Sequence, residues 1–167
     1  MTESPPPLLT ATAVPPLRWT CARLEALAPR ELQRIHVARQ AVFVVEQACA
    51  FQDADAADES AWHLAAWVPG GGAGDELCAY ARLVDPGVKY AEPSIGRVLT
   101  TSPARGTGLG RALLHRALAQ AEACFPGQGL RISAQLRLAP FYAEVGFVGV
   151  GEPYLEDDLP HLEMWRA

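Results

Sequence analysis

Cysteine is scarce and scattered. The four residues, Cys21, Cys49, Cys78 and Cys124, form no C-x-x-C pair and no metal-cage spacing. That excludes a disulfide framework and a structural zinc site, and leaves reduced thiols packed as small apolar groups in a cytosolic protein. Basic charge is also short: 14 Lys and Arg face 19 Asp and Glu, a net charge of −5. A nucleic-acid partner needs a basic face, so that class is set aside. No stretch approaches the roughly 18 unbroken apolar residues of a membrane span. No Lys or Arg precedes Arg18, and prolines break the weakly apolar start, so no secretory signal is read there. The location these features favour is the cytoplasm.

What is present suits one compact domain. Of 167 residues, 50% are hydrophobic and 20% charged, which is ordinary globular usage. Residues 1–16 hold five prolines and little to pack, and are expected to form a flexible arm. Residues 17–167 are expected to form a single domain. Leu17–Leu24 alternates as a strand. Pro29 suits the first turn of a helix running through Leu32, Ile35, Arg39 and Val42 into Phe43. Asp53–Ser60 reads as an acidic loop. Trp62–Val68 and Glu76–Leu83 read as strands joined by a glycine-rich hairpin, and Ile95–Thr101 as a central strand. Leu109, Leu113, Ala117, Ala121 and Phe125 recur at helical spacing, and Pro126-Gly127 ends that helix. Strand, helix and two further strands follow from Leu130 onward. Strands mixed with a few helices indicate an α+β fold with a mixed sheet.

The most informative segment is Arg105-Gly106-Thr107-Gly108-Leu109-Gly110-Arg111, between the central strand and that helix. Alternate glycines let backbone N–H groups approach an anion, and the helix start adds unpartnered donors and partial positive charge. Together they form a diphosphate cradle. A P-loop would need Gly-Lys-[Ser/Thr], and a dinucleotide fingerprint would need G-x-G-x-x-G; neither is present. Arg105-x-x-Gly108-x-Gly110 instead resembles the pyrophosphate loop of the GNAT superfamily of N-acetyltransferases, which holds acetyl-coenzyme A. Phe141-Tyr142-x-x-x-Gly146-Phe147 resembles a second signature of that superfamily, a helix carrying a tyrosine beside the coenzyme sulfur. The stretches Arg39–Gln47, Phe51–Asp55, Trp62–Leu64 and Gly151–Met164 resemble its ElaA-like branch.

The resemblance implies a mixed, mostly antiparallel sheet of about six to seven strands with about four helices. Its strands Ile95–Thr101 and Leu130–Ala134 would splay around the pantetheine arm. It also implies direct acetyl transfer from acetyl-coenzyme A to a primary amine. Val98, Leu99 and Thr100 would hold the pantetheine and acetyl group, and Gly106 through Arg111, with Arg105, the diphosphate. Phe141 and Gln135 would touch the coenzyme, Gln135 standing where many members carry Asn. Tyr142 would protonate the leaving thiolate. Pro103 lies one position closer to the arginine than in many members, which implies a local difference in the turn. The attacking amine must first lose a proton. Glu46, His63 and a water chain are the candidates for accepting it. His161-x-Glu163 lacks a third ligand, so no metal is expected.

The acidic residues at 53–59 and 152–158 have two readings: a funnel for a cationic amine, or solvated loops. A non-catalytic acyl-coenzyme A-binding module is the alternative function, and Tyr142 argues against it. The acceptor, whether polyamine, amino-acid derivative, antibiotic amine or protein N-terminus, is left open. An open sheet edge offers a route to a homodimer.

Overall fold

The computed structural model describes residues 16–70 and 74–167. The arm expected over 1–16 therefore lies, up to residue 15, outside the described residues, as does the centre of the glycine hairpin. Seven strands form one sheet: β1 (Arg18–Arg23), β2 (Trp62–Val68), β3 (Glu76–Val84), β4 (Ser94–Thr100), β5 (Leu130–Gln135), β6 (Val148–Glu156) and β7 (Leu159–Arg166). Their spatial order is β1-β2-β3-β4-β5-β7-β6. Every neighbouring pair is antiparallel except β4 and β5. A parallel pair needs a long crossover, and helix α3 (Leu109–Cys124) provides it.

Helix α1 (Pro29–Arg39) opens with Pro29 in its first turn, while the Glu31 carboxylate accepts the Ala28 backbone N–H at 3.1 Å. It continues as a π-helical segment, Gln40–Glu46. Short helices α2 (Ala57–Ser60) and α4 (Ala139–Ala143) complete the set. Leu109, Leu113, Leu114, Ala117 and Ala121 of α3 bury one stripe against Leu64, Ala66, Ala79 and Ala81. Ile35 and Ala38 of α1 cover the opposite face at Ala65, Trp67 and Tyr80. Alternate residues of β2 and β3 thus serve two layers, which is why both strands read as nearly unbroken buried runs. Among the described residues the four cysteines are free thiols, no His, Cys, Asp and Glu group is placed to hold a metal, and no helix is long and apolar enough to cross a membrane.

The acidic loop departs from both sequence readings. Asp53 and Asp58 are buried, neither solvated nor lining a funnel. Arg39, fully buried, donates from Nε to Asp53 at 2.7 Å and from Nη1 to Asp58 at 2.7 Å. Arg82 of β3 donates to Asp58 at 2.8 Å and pairs with Asp55. Arg97 of β4 stands 2.7 Å from Asp53 as an ion pair without hydrogen-bond alignment. Burial works to raise the Asp58 pKa, but the hydrogen bond and charge of Arg39, with Arg82 beside it, hold it well below the ordinary carboxylate range. The network ties α1, α2, β3 and β4 together at one point.

Removing one member of such a cluster strands the others without compensation. Asp58→Asn is expected to lower the unfolding free energy by about 3–5 kcal/mol at pH 7, measured by urea denaturation. Because the folded-state value is depressed, the Asp58 contribution is complete above the unfolded value of about 4 and is lost as pH falls through the folded one. Wild-type stability should therefore decline from about pH 5 downward. The decline should be shallower in the Asn variant, and an equal slope in both would contradict the assignment.

Candidate active site

The site begins with a fault in β4. Tyr80 pairs with Leu99 and Arg82 with Gly96, so Arg97 and Val98 together oppose Ala81. This is a β-bulge, and Arg97 adopts φ 52°, a left-handed conformation rare outside glycine. Its guanidinium is fixed by Asp53, with Asp55 at 3.6 Å, and lies over the Phe51 ring. The bulge turns β4 away from β5. Ser94 with Arg131 is the only registered pair between the two strands, and they diverge beyond it. The β5-facing edge of Val98–Thr100 is thereby opened into a cleft that Phe43, Gln47, Ile132, Gln135 and Tyr142 help to line.

Beyond β4, a 3-10 turn at Ser102–Ala104 contains Pro103. The glycine loop follows. Gly106 and Gly108 have φ of 75° and 84°, and a Cβ built at either meets nothing within 4 Å. Gly108 caps α3 from the left-handed region. The chain turns through Arg105–Gly108, and none of the backbone N–H groups from Gly106 to Gly110 makes a well-aligned hydrogen bond among the described residues. Five free donors at the start of a 16-residue helix, with open space before them, suit a diphosphate. Gly110 has Thr100 and Phe141 about 4 Å from its would-be Cβ, so loop, β4 and α4 converge.

Two arginines of the loop already have partners. Arg105 donates through both terminal nitrogens to Glu46 at 2.8 Å each, and through Nε to the Thr100 carbonyl at 3.2 Å. It latches the loop to the π-helical segment and to the end of β4. The Thr100 carbonyl is therefore engaged. Arg111 forms a two-pronged pair with Glu144 at 2.8 and 2.9 Å, well exposed to solvent. Thr107 Oγ1 donates to the Ala104 carbonyl at 2.7 Å, and Leu109 is buried in the core.

Tyr142 lies in α4, 7% exposed, edge-on to Phe141 and Phe147 at 5.2 and 6.0 Å between ring centroids. Gly146, at φ 93°, turns the chain after α4 and brings Phe147 under the ring. Burial pushes the phenol pKa up to about 12. Among the described residues nothing hydrogen-bonds its hydroxyl. The ring is thus a protonated donor at the cleft wall. Gln135 donates to Gln47 at 2.9 Å and accepts from Arg137 at 3.1 Å, bridging β5 to the end of the π-helical segment.

The two sequence candidates for proton acceptor lie apart from one another. Glu46 is exposed at the loop, with both oxygens on Arg105, whose hydrogen bond and charge hold its pKa below the ordinary range. His63 is 1% exposed on β2. Its Nδ1 meets the Tyr80 hydroxyl at 2.7 Å and its Nε2 the Asp58 carbonyl at 3.0 Å, and burial lowers its pKa. It does not line the cleft.

Ser133 and Glu156 do line it, as part of a hydrogen-bonded cluster that sequence reasoning did not assemble. Ser133 Oγ lies 2.6 Å from the Tyr154 hydroxyl and donates to Glu156 Oε2 at 2.8 Å, with the Tyr154 hydroxyl 3.3 Å from the same oxygen. Period-two alternation sets Ser133 with Gln135, and Tyr154 with Glu156, on one sheet face. Only the register through β7 unites the two sets: Ser133 opposes Glu163, and Tyr154 opposes His161.

Comparison with known proteins places the chain among relatives. The family model described as an acetyltransferase (GNAT) domain matches residues 71–166. A UPF0039 protein of Synechocystis is 40% identical over 148 residues, covering 89% of this chain and 94% of its own length. Protein ElaA of Escherichia coli is 34% identical over 152 residues, covering 90% and 96%. The crystal structure of ElaA superposes with a TM-score of 0.83 over 90% of this chain and 99% of its own. That of an acyl-CoA N-acyltransferase from Pseudomonas aeruginosa superposes with a TM-score of 0.84 at 44% identity, over 91% and 100%. In sequence and fold, this chain belongs to the GNAT acetyltransferase family, in its ElaA-like branch.

Proposed function

We propose that this protein transfers an acetyl group from acetyl-coenzyme A to a primary amine by direct attack. The observation that carries the proposal is the run of five acceptorless amides from Gly106 to Gly110, set beside the open edge of β4 and the buried hydroxyl of Tyr142. The amides would take the diphosphate, and the backbone of Val98 and Leu99 the pantetheine. Acetyl-coenzyme A supplies the activated thioester. Tyr142, its pKa raised to about 12 by burial, keeps its proton at neutral pH and is positioned to give it to the departing sulfur. Phe141, by its approach to Gly110, shapes the wall between loop and cleft. In this reading Glu46 latches the loop through Arg105 and His63 braces the α2–β3 layer. Neither serves as proton acceptor.

Acetyl-coenzyme A at 100 times its dissociation constant should stabilise the wild type by about 2.7 kcal/mol. A melting-temperature rise of about 5–10 °C would register that gain, while ATP and NAD should give none. Gly108→Trp would fill the space before the helix and should abolish the rise. A shift retained by that variant would place the coenzyme elsewhere.

Tyr142→Phe should preserve the coenzyme-induced shift but lower kcat for amine acetylation about 100-fold. An unchanged kcat would remove the phenol from proton transfer. Absence of any amine-dependent thiol release, by wild type as well as variant, would favour a non-catalytic acyl-coenzyme A-binding module.

A further inference from the structure

Two cavities meet at Glu156. One, of about 130 Å³, runs to Tyr142 and Gln47. The other, of about 90 Å³, runs to Lys89 and Tyr90. Ser133, Glu156 and His161 line both. A coenzyme arm entering beside β4 would occupy the first, which leaves the second, lined also by Arg82 and Arg97 (both paired with the buried aspartates), for the acceptor. We propose that Glu156 is the catalytic residue that takes the proton from the acceptor's ammonium group, and that the acceptor is a primary amine, cationic at neutral pH, arriving through the Lys89–Tyr90 side. This rests on the acetyl-transfer reading given above.

The hydrogen bonding of the carboxylate fits the role. Oε2 carries the contacts from Ser133 and Tyr154, which fix the side chain. No group among the described residues bonds Oε1, so one oxygen is held while the other is available to an N–H donor. Ser133 and Tyr154 also touch each other at 2.6 Å; with Ser133 donating to the carboxylate, the Tyr154 hydroxyl can donate to Ser133 Oγ or to Oε2, so the pair holds the carboxylate in place. Glu46, by contrast, has both oxygens engaged by Arg105.

The step balances. The ammonium gives one proton to Glu156, which releases it to solvent after the turnover. The nitrogen lone pair forms the C–N bond at the thioester carbonyl, and the C–S pair leaves on sulfur, which takes the Tyr142 proton. The second N–H proton, lost as the amide forms, restores Tyr142 through water. The net products are an amide, a free thiol and one proton.

The test measures thiol release from acetyl-coenzyme A with a panel of putrescine, tyramine, ethanolamine and lysine methyl ester, alongside the melting shift induced by acetyl-coenzyme A. Glu156→Gln, nearly isosteric, should keep the shift and lose about 100-fold or more in kcat with at least one amine that the wild type uses. Glu156→Ala should lose as much and regain part of it with added formate, an external carboxylate that a merely structural role would not answer to. Glu152→Gln, on the same strand and outside both cavities, should stay within twofold of the wild type. If Glu156→Gln works as well as the wild type, if its coenzyme shift disappears with its activity, or if formate restores nothing, the role of Glu156 is overturned while acetyl transfer stands. If the wild type uses no amine of the panel, the transferase reading and this role fall together.

Discussion

The architecture of the cleft depends on a buried cluster of opposite charges. Asp53 and Asp58, from a short loop and α2, are locked by Arg39 of α1, Arg82 of β3 and Arg97 of β4. Buried charges are costly unless each is paired, so the cluster tolerates few alternative arrangements. Its geometric consequence lies at Arg97. The left-handed turn there lets one β4 residue bulge out of register, and the bulge separates β4 from β5. A central sheet that would otherwise close by parallel pairing is thus held open. The same loop delivers Phe51 and Cys49 to the cleft wall, so one wall of the cleft and the strand splay are set by one cluster.

The glycine loop is a complementary device, made of backbone instead of charge. Its donors point into open space because Gly106 and Gly108 adopt conformations that other residues resist, and α3 begins where the loop ends. Arg105 is spent on a latch: its guanidinium spans Glu46 and the Thr100 carbonyl and so fixes the loop relative to the π-helical segment. With Arg111 also paired, the diphosphate role proposed for the loop rests largely on oriented amides. A loop latched in this way would need little further ordering to take the ligand proposed for it.

Much of this was legible in the amino-acid order. β5 spans Leu130–Gln135 as the alternation indicates, α3 ends at the Pro126-Gly127 stop within two residues, and the loop sits at a helix start as its glycines require. Those features are local, set by side-chain period and glycine chemistry. The failures were non-local. Asp53 and Asp58 look solvated in an alanine-rich stretch because their counter-ions stand on three other elements, Arg97 more than 35 residues away in the chain. His63 looked like a proton acceptor beside the cleft, but strand alternation turned it toward Tyr80 and α2. Glu156 was visible only as one acid among several, because its tie to Ser133 needs the β5-β7-β6 register, which no single segment encodes. The lengthening of α1 into a π-helical segment through Glu46 had no clear sequence signal either; such segments are frequent where function requires a displaced side chain.

The most direct measurement of the central claim is backbone amide hydrogen exchange with and without acetyl-coenzyme A. The account predicts slowed exchange in two separate segments at once, the free amides of Gly106–Gly110 and the open edge of β4 at Val98–Thr100, with little change in β1 or β6. Protection confined to other parts of the chain, or none at saturating coenzyme, would contradict a cleft built by the β4 bulge to receive it.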